Sequence, residues 1–71
     1  MQQKIHRWAI GIMHDSEVES LAIYDPILGP MLGGNRVGME MIMKGMVRDR
    51  PELEGKLRLI PVVVDIREMT A

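Results

Sequence analysis

Gly33-Gly34-Asn35-Arg36-Val37-Gly38-Met39-Glu40-Met41-Ile42-Met43-Lys44-Gly45-Met46-Val47 is the stretch that decides the fold. Asn35 is a good N-cap, since its side-chain oxygen can accept the free amides of a first helical turn. Met39, Ile42, Met43, Met46 and Val47 then recur at i, i+3, i+4, i+7 and i+8, which is one core-facing stripe of a helix. Glu40 and Lys44 stand four apart on the opposite side in the favourable order. Asp49 and Pro51 close the pattern, so a helix is predicted from the Asn35 cap to about residue 48. Gly38 and Gly45 sit inside it, and each costs roughly 0.8–1 kcal/mol relative to alanine. That cost implies something packed close to the helix backbone. With Met41, which lies off the stripe near both glycines, they would form a shallow groove for a second helix. Gly38, Met41 and Gly45 are therefore candidate interface residues.

On the N-terminal side, residues 4–13 alternate as a strand. Trp8, Ile10 and Ile12 lie on one face, and Ile5, Ala9 and Met13 on the other. Two partly apolar faces imply a central strand, and Gly11 marks a bulge or a close backbone approach. His14-Asp15-Ser16-Glu17 breaks the pattern. Residues 18–24 allow a short helix capped by Ser16 with Glu19 completing a capping box. A strand fits better, because Pro26 leaves little room for a helix and Ala22-Ile23-Tyr24 suits a pleated surface. Residues 25–34 read as a loop punctuated by Pro26, Gly29, Pro30, Gly33 and Gly34. Loops this long in small domains often serve function or contact partners. After a charged turn, residues 57–66 form the strongest strand pattern. Ile60, Val62, Val64 and Ile66 share one face, and Pro61 demands an edge or a bulge. The expected fold is α+β: a single domain over residues 1–71 with a small β-β-α-β sheet and one Met-rich helix on one face, completed by oligomerisation.

The need for oligomerisation comes from composition. A chain of 71 residues with no cysteine, no phenylalanine and two histidines has neither disulfides nor a plausible zinc site to staple it. A single core of this size seldom supplies more than roughly 3–5 kcal/mol. Trp8 and Tyr24 are the only aromatics, and eight methionines take the place of bulkier anchors. A homo-oligomer is the remaining staple. It would bring the 25–34 loops, with Pro26 and Leu28, to an interface. The formal charge of −1 argues against general nucleic-acid binding. The longest apolar run, residues 59–64, is too short to span a membrane. The N-terminus Met-Gln-Gln-Lys-Ile-His-Arg opens no apolar signal core, which makes a cytoplasmic location the expectation.

Chemistry is concentrated at the loop-to-helix junction. Gly29 and Gly34 have the Gly-x-x-x-x-Gly spacing of a phosphate-binding loop, but Asn35 and Arg36 stand where that motif needs lysine and a hydroxyl. What survives is a helix N-terminus with free amides and an arginine. Gly33, Gly34, Asn35, Arg36 and Val37 are thus candidate anion ligands. The plainer alternative is a tight turn and a cap. His6 and His14 lie about 26 Å apart along a strand and cannot share a metal within one chain. The His14-Asp15 pair reads as a turn, and Ser16 and Ser20 lack the setting of an activated nucleophile. Arg48, Arg50, Lys56 and Arg58 interleave with Asp49, Glu52 and Glu54 as a solvated face. In composition the chain resembles small viral accessory proteins, a likeness that covers no motif. The expectation is a non-enzymatic, cofactor-free binding protein: an interaction or inhibitor module acting on a macromolecular partner. The alternative is an oligomeric binder or sequesterer of a phosphate-bearing small molecule, such as a nucleotide.

Overall fold

A computed structural model describes residues 2–67, and the side chains of residues 3–66. The chain runs β1 (Gln2–His14), β2 (Glu17–Leu21), β3 (Tyr24–Asp25), β4 (Gly29–Pro30), α1 (Arg36–Asp49) and β5 (Leu57–Arg67). A single 3-10 turn at Pro51–Leu53 joins α1 to the last strand. The main sheet is antiparallel in the order β2-β1-β5, so β1 is central, as its two partly apolar faces imply. Pro61 lies on the edge strand β5 opposite Trp8.

The β1–β5 ladder is continuous from Gln2↔Arg67 to Ile12↔Leu57. β2 is much shorter. It turns back through Asp15, whose φ of 56° lies in the left-handed region that aspartate tolerates. It pairs only with Gly11 to His14, with Glu19 left over as a bulge. Leu21 ends it, and Ala22 still donates to the Ile10 carbonyl at 2.8 Å. The chain then leaves the sheet and returns at Gly33, which exchanges two hydrogen bonds with Trp8 at 2.7 and 2.9 Å.

This excursion corrects two expectations. The strand predicted over residues 18–24 is divided, with Tyr24 belonging to a separate ribbon. The predicted 25–34 loop contains the rest of that ribbon: Tyr24 pairs with Pro30 and Asp25 with Gly29. The ribbon is held by Asp25 Oδ1, which accepts the Ile27 and Leu28 amides at 2.7 and 2.9 Å. Gly29 at φ 84° completes the turn.

α1 begins where Asn35 predicts. Its Oδ1 accepts the amides of Val37 at 2.9 Å and Gly38 at 3.3 Å. The C-terminus is closed by the Arg50 amide donating to the Met46 carbonyl at 2.8 Å, and Pro51 follows. The side of the sheet that α1 covers follows from two contacts. A Cβ on Gly33 would collide with the Met39 sulfur, and the Arg36 guanidinium lies 5.3 Å from the Trp8 ring centroid. Gly33 and Trp8 are paired, so both side-chain positions lie on the face of Ile10 and Ile12. α1 packs there.

α1 does not cover the opposite face, on which Ala9 and Gly11 are buried and Ile5, Met13, Ile60, Val62 and Val64 are half-buried. It carries Ile5, Arg7, Ala9, Met13, Val18, Leu21, Ile60, Val62, Val64 and Ile66. The side chains of Ile60 and Val18 lean over Gly11, where a Cβ would collide with Ile60, and this is the close approach its sequence position implies. Among the described residues the fully buried apolar side chains are few: Ala9 (1% exposed), Ile10 (2%) and Met39 (3%).

The molecule is also long. Its extents are 47 × 24 × 22 Å and its radius of gyration is 14.0 Å, against about 11 Å for a compact chain of this length. The ladder explains this: thirteen residues of β1 span about 44 Å at strand rise, while fourteen residues of α1 cover only about 21 Å.

Candidate interaction surfaces

The loop-to-helix junction uses most of its own polar groups. Gly33 gives both its amide and its carbonyl to Trp8. Asn35 holds the Val37 and Gly38 amides. Of the residues expected to hold an anion, Gly33, Asn35 and Val37 are thus engaged within the fold, and Arg36 lies over the Trp8 ring as a cation–π pair. Gly34 is flanked by the Arg7 guanidinium, which a Cβ at Gly34 would meet at 3.7 Å. The spacing of glycines in the sequence carries no trace of Arg7, which reaches the junction from β1.

The glycines of α1 are open. A Cβ on Gly38 would meet only Asn35, and one on Gly45 only the Arg48 side chain. Among the described residues no other element packs against them, so the expected groove is open to a neighbour from outside the chain. What the glycines face is solvent, beside Met41 (69% exposed) and Val37 (64%).

The ribbon tip is the most exposed apolar feature. Ile27 is 91% and Leu28 85% exposed, with Tyr24 and Met31 also exposed nearby. They are not on a slack loop. The amides of Leu28 and then Ile27 hold the Asp25 carboxyl below its ordinary value, because both donate to it when it is charged. Pro26 precedes this pair within the turn.

His6 and His14 are exposed on β1, and His14 Nε2 stands 3.8 Å from Asp15 Oδ2 in open solvent. No group of three or more metal-ligating side chains occurs among the described residues. A shallow open hollow of about 220 Å³ lies at the β1–β2 turn, lined by His14, Glu17, Val18 and Glu19. No helix is long and apolar enough to cross a membrane among the described residues.

Comparison with known proteins adds no relative. No family model matches the chain, no curated protein is similar to it, and no solved structure matches it. The surfaces must be read from their own chemistry.

Two surfaces are not anticipated by the residue patterns. One is the uncovered sheet face, and the other is the far half of the β1–β5 ladder, which neither β2 nor Gly33 reaches. The signal for both is a length comparison. A fourteen-residue helix cannot back thirteen residues of extended strand.

Proposed function

We propose that this chain is a small, non-enzymatic, homo-oligomeric binding protein that acts as an interaction or inhibitor module on a protein partner. The observation that carries this reading is the sheet face opposite α1, where Ile5, Ile60, Val62 and Val64 stand half-buried around Arg7 on the side the helix does not cover. Val18 and Ile66, at the two ends of this face, are exposed, and apolar side chains left open on a sheet mark an interaction site. The accessible surface supports it: 5868 Å², against about 4,500 Å² for a compact monomer of this mass. The second working surface is the ribbon tip at Ile27 and Leu28, two apolar side chains presented on a turn that Asp25 has already ordered. A preordered tip loses little conformational freedom when it docks.

The test separates the two surfaces. Placing lysine at both Val62 and Val64 should reduce the mass in solution towards 8.1 kDa while the helical circular dichroism persists. An unchanged mass would contradict the assignment of the face. Ile27→Asp with Leu28→Asp should leave the oligomer intact and abolish recovery of the partner from an extract of the source organism. Equal recovery by both proteins would contradict the tip.

The phosphate-binding reading retains one supporting observation, the approach of Arg7 to Gly34 beside Arg36. It predicts a rise in melting temperature with added nucleotide that is lost in Arg36→Ala.

A further inference from the structure

The two outer edges of the long ladder are unlike. Trp8 exchanges hydrogen bonds with Gly33, and Ile10 accepts from Ala22, so the even-numbered residues of β1 turn their backbone groups away from β5. At Lys4 and His6 the same groups point outward, and no strand among the described residues meets them. The one partner found there is makeshift: the Arg7 side chain donates from Nη1 to the His6 carbonyl at 2.9 Å. On the other side, Pro61 stands opposite Trp8, so its donorless nitrogen lies on the outer edge of β5 and interrupts that row. One edge is blunted and the other is bare.

We propose that two copies of this chain join through the bare β1 edge, antiparallel, about a two-fold axis at Ile5. This rests on the reading of the protein as a homo-oligomer and adds a contact along the strand edge, distinct from the one across the sheet face. An antiparallel ladder must place outward-pointing residues opposite one another, which confines the axis to a residue position: Lys4, Ile5 or His6. An axis at Lys4 sets two ammonium groups directly opposite, which is destabilising. An axis at His6 sets Lys4 against Trp8, whose backbone groups Gly33 already holds. An axis at Ile5 sets Lys4 opposite His6 on both sides, giving four backbone hydrogen bonds; only Gln2, at the strand's end, then comes opposite Trp8, so the pairing stops at Gln3. Gln3 then stands opposite Arg7, and the two Ile5 side chains meet in the close, non-hydrogen-bonded pair.

In that register the two arms, each two strands wide, become the middle of a four-stranded sheet, β5-β1-β1-β5. Two strands alone are marginal in water, and four with an apolar face are not. The axis is perpendicular to the sheet, so the strips of Ile5, Val62 and Val64 from both copies become one surface. The covered halves with their helices extend from opposite ends. A net charge of −1 per copy opposes this little.

The chain has no cysteine, which makes single-cysteine variants clean reporters. Under mild oxidation Ile5→Cys should cross-link into a disulfide dimer at micromolar concentration, while Val62→Cys, on the same face but off the edge, should not. In the unmodified protein the Lys4 and His6 amides should exchange with solvent at least tenfold more slowly at high concentration than at high dilution. Fast exchange of both amides at every concentration, in a protein of oligomeric mass, would overturn the edge contact and leave the oligomer standing. A mass of 8.1 kDa at all concentrations would overturn both.

Discussion

The two halves of the β1–β5 ladder are built from similar residues and end in different circumstances. In the near half, Trp8 to Ile12 are backed by α1 and flanked by Gly33, Ala22 and β2, and Ala9, Ile10 and Gly11 are buried. In the far half, Ile5, Val62 and Val64 are as β-prone as any residue in the chain, but among the described residues only one strand lies beside each, and none of the three is buried. Strand propensity is thus equal across the ladder while burial is not. Burial is set by how far one short helix and one short strand can reach. Stability should follow burial.

The largest effect expected from this difference is at Ile10. Ile10→Ala should cost about 2–5 kcal/mol, because the cavity lies between sheet and helix. The same change at Ile5 should cost much less in dilute protein and progressively more as concentration rises. Urea titrations at two concentrations measure both. Equal, concentration-independent losses would erase the distinction between the halves.

A smaller effect is expected at the junction that holds the near half together. Asn35→Ala should cost about 1 kcal/mol by freeing the Val37 and Gly38 amides. If that loss leaves exchange at Lys4 and His6 unaltered, the two halves are energetically separate, which sharpens the comparison.

Much of this was legible in the sequence. Asn35, the stripe from Met39 to Val47 and the alternation around Trp8 and Ile60 are long-period signals, and they fix the helix, the central strand and the edge position of Pro61. The ribbon at Tyr24–Asp25 and Gly29–Pro30 was not legible, because two-residue strands cannot display a period of two. Gly38 and Gly45 leave a different question open: a helix glycine signals close approach without saying whether the neighbour belongs to the same chain. Arg7 was hidden because it reaches Gly34 across the sheet rather than along the sequence. The bare half of the ladder is a property of relative lengths, which no local pattern contains.

The smallest expected effect concerns the ribbon. The Asp25 carboxyl is held below its ordinary value of 3.8 by the Leu28 and Ile27 amides. Its contribution is therefore complete above that value and is lost as pH falls through the lowered one. Exchange at the Ile27 and Leu28 amides, corrected for intrinsic rates, should lose its protection only in that acid range. In Asp25→Ala it should be unprotected at neutral pH too. Protection that persists in Asp25→Ala would show that the tip is ordered by something other than this carboxylate.

The central claim is that one copy buries too little to be complete. Sedimentation equilibrium from about one to one hundred micromolar, paired with melting curves at the same concentrations, addresses it directly. The expected result is a mass that is a multiple of 8.1 kDa and a melting temperature that climbs with concentration. A particle of 8.1 kDa that melts sharply at one temperature throughout would contradict it.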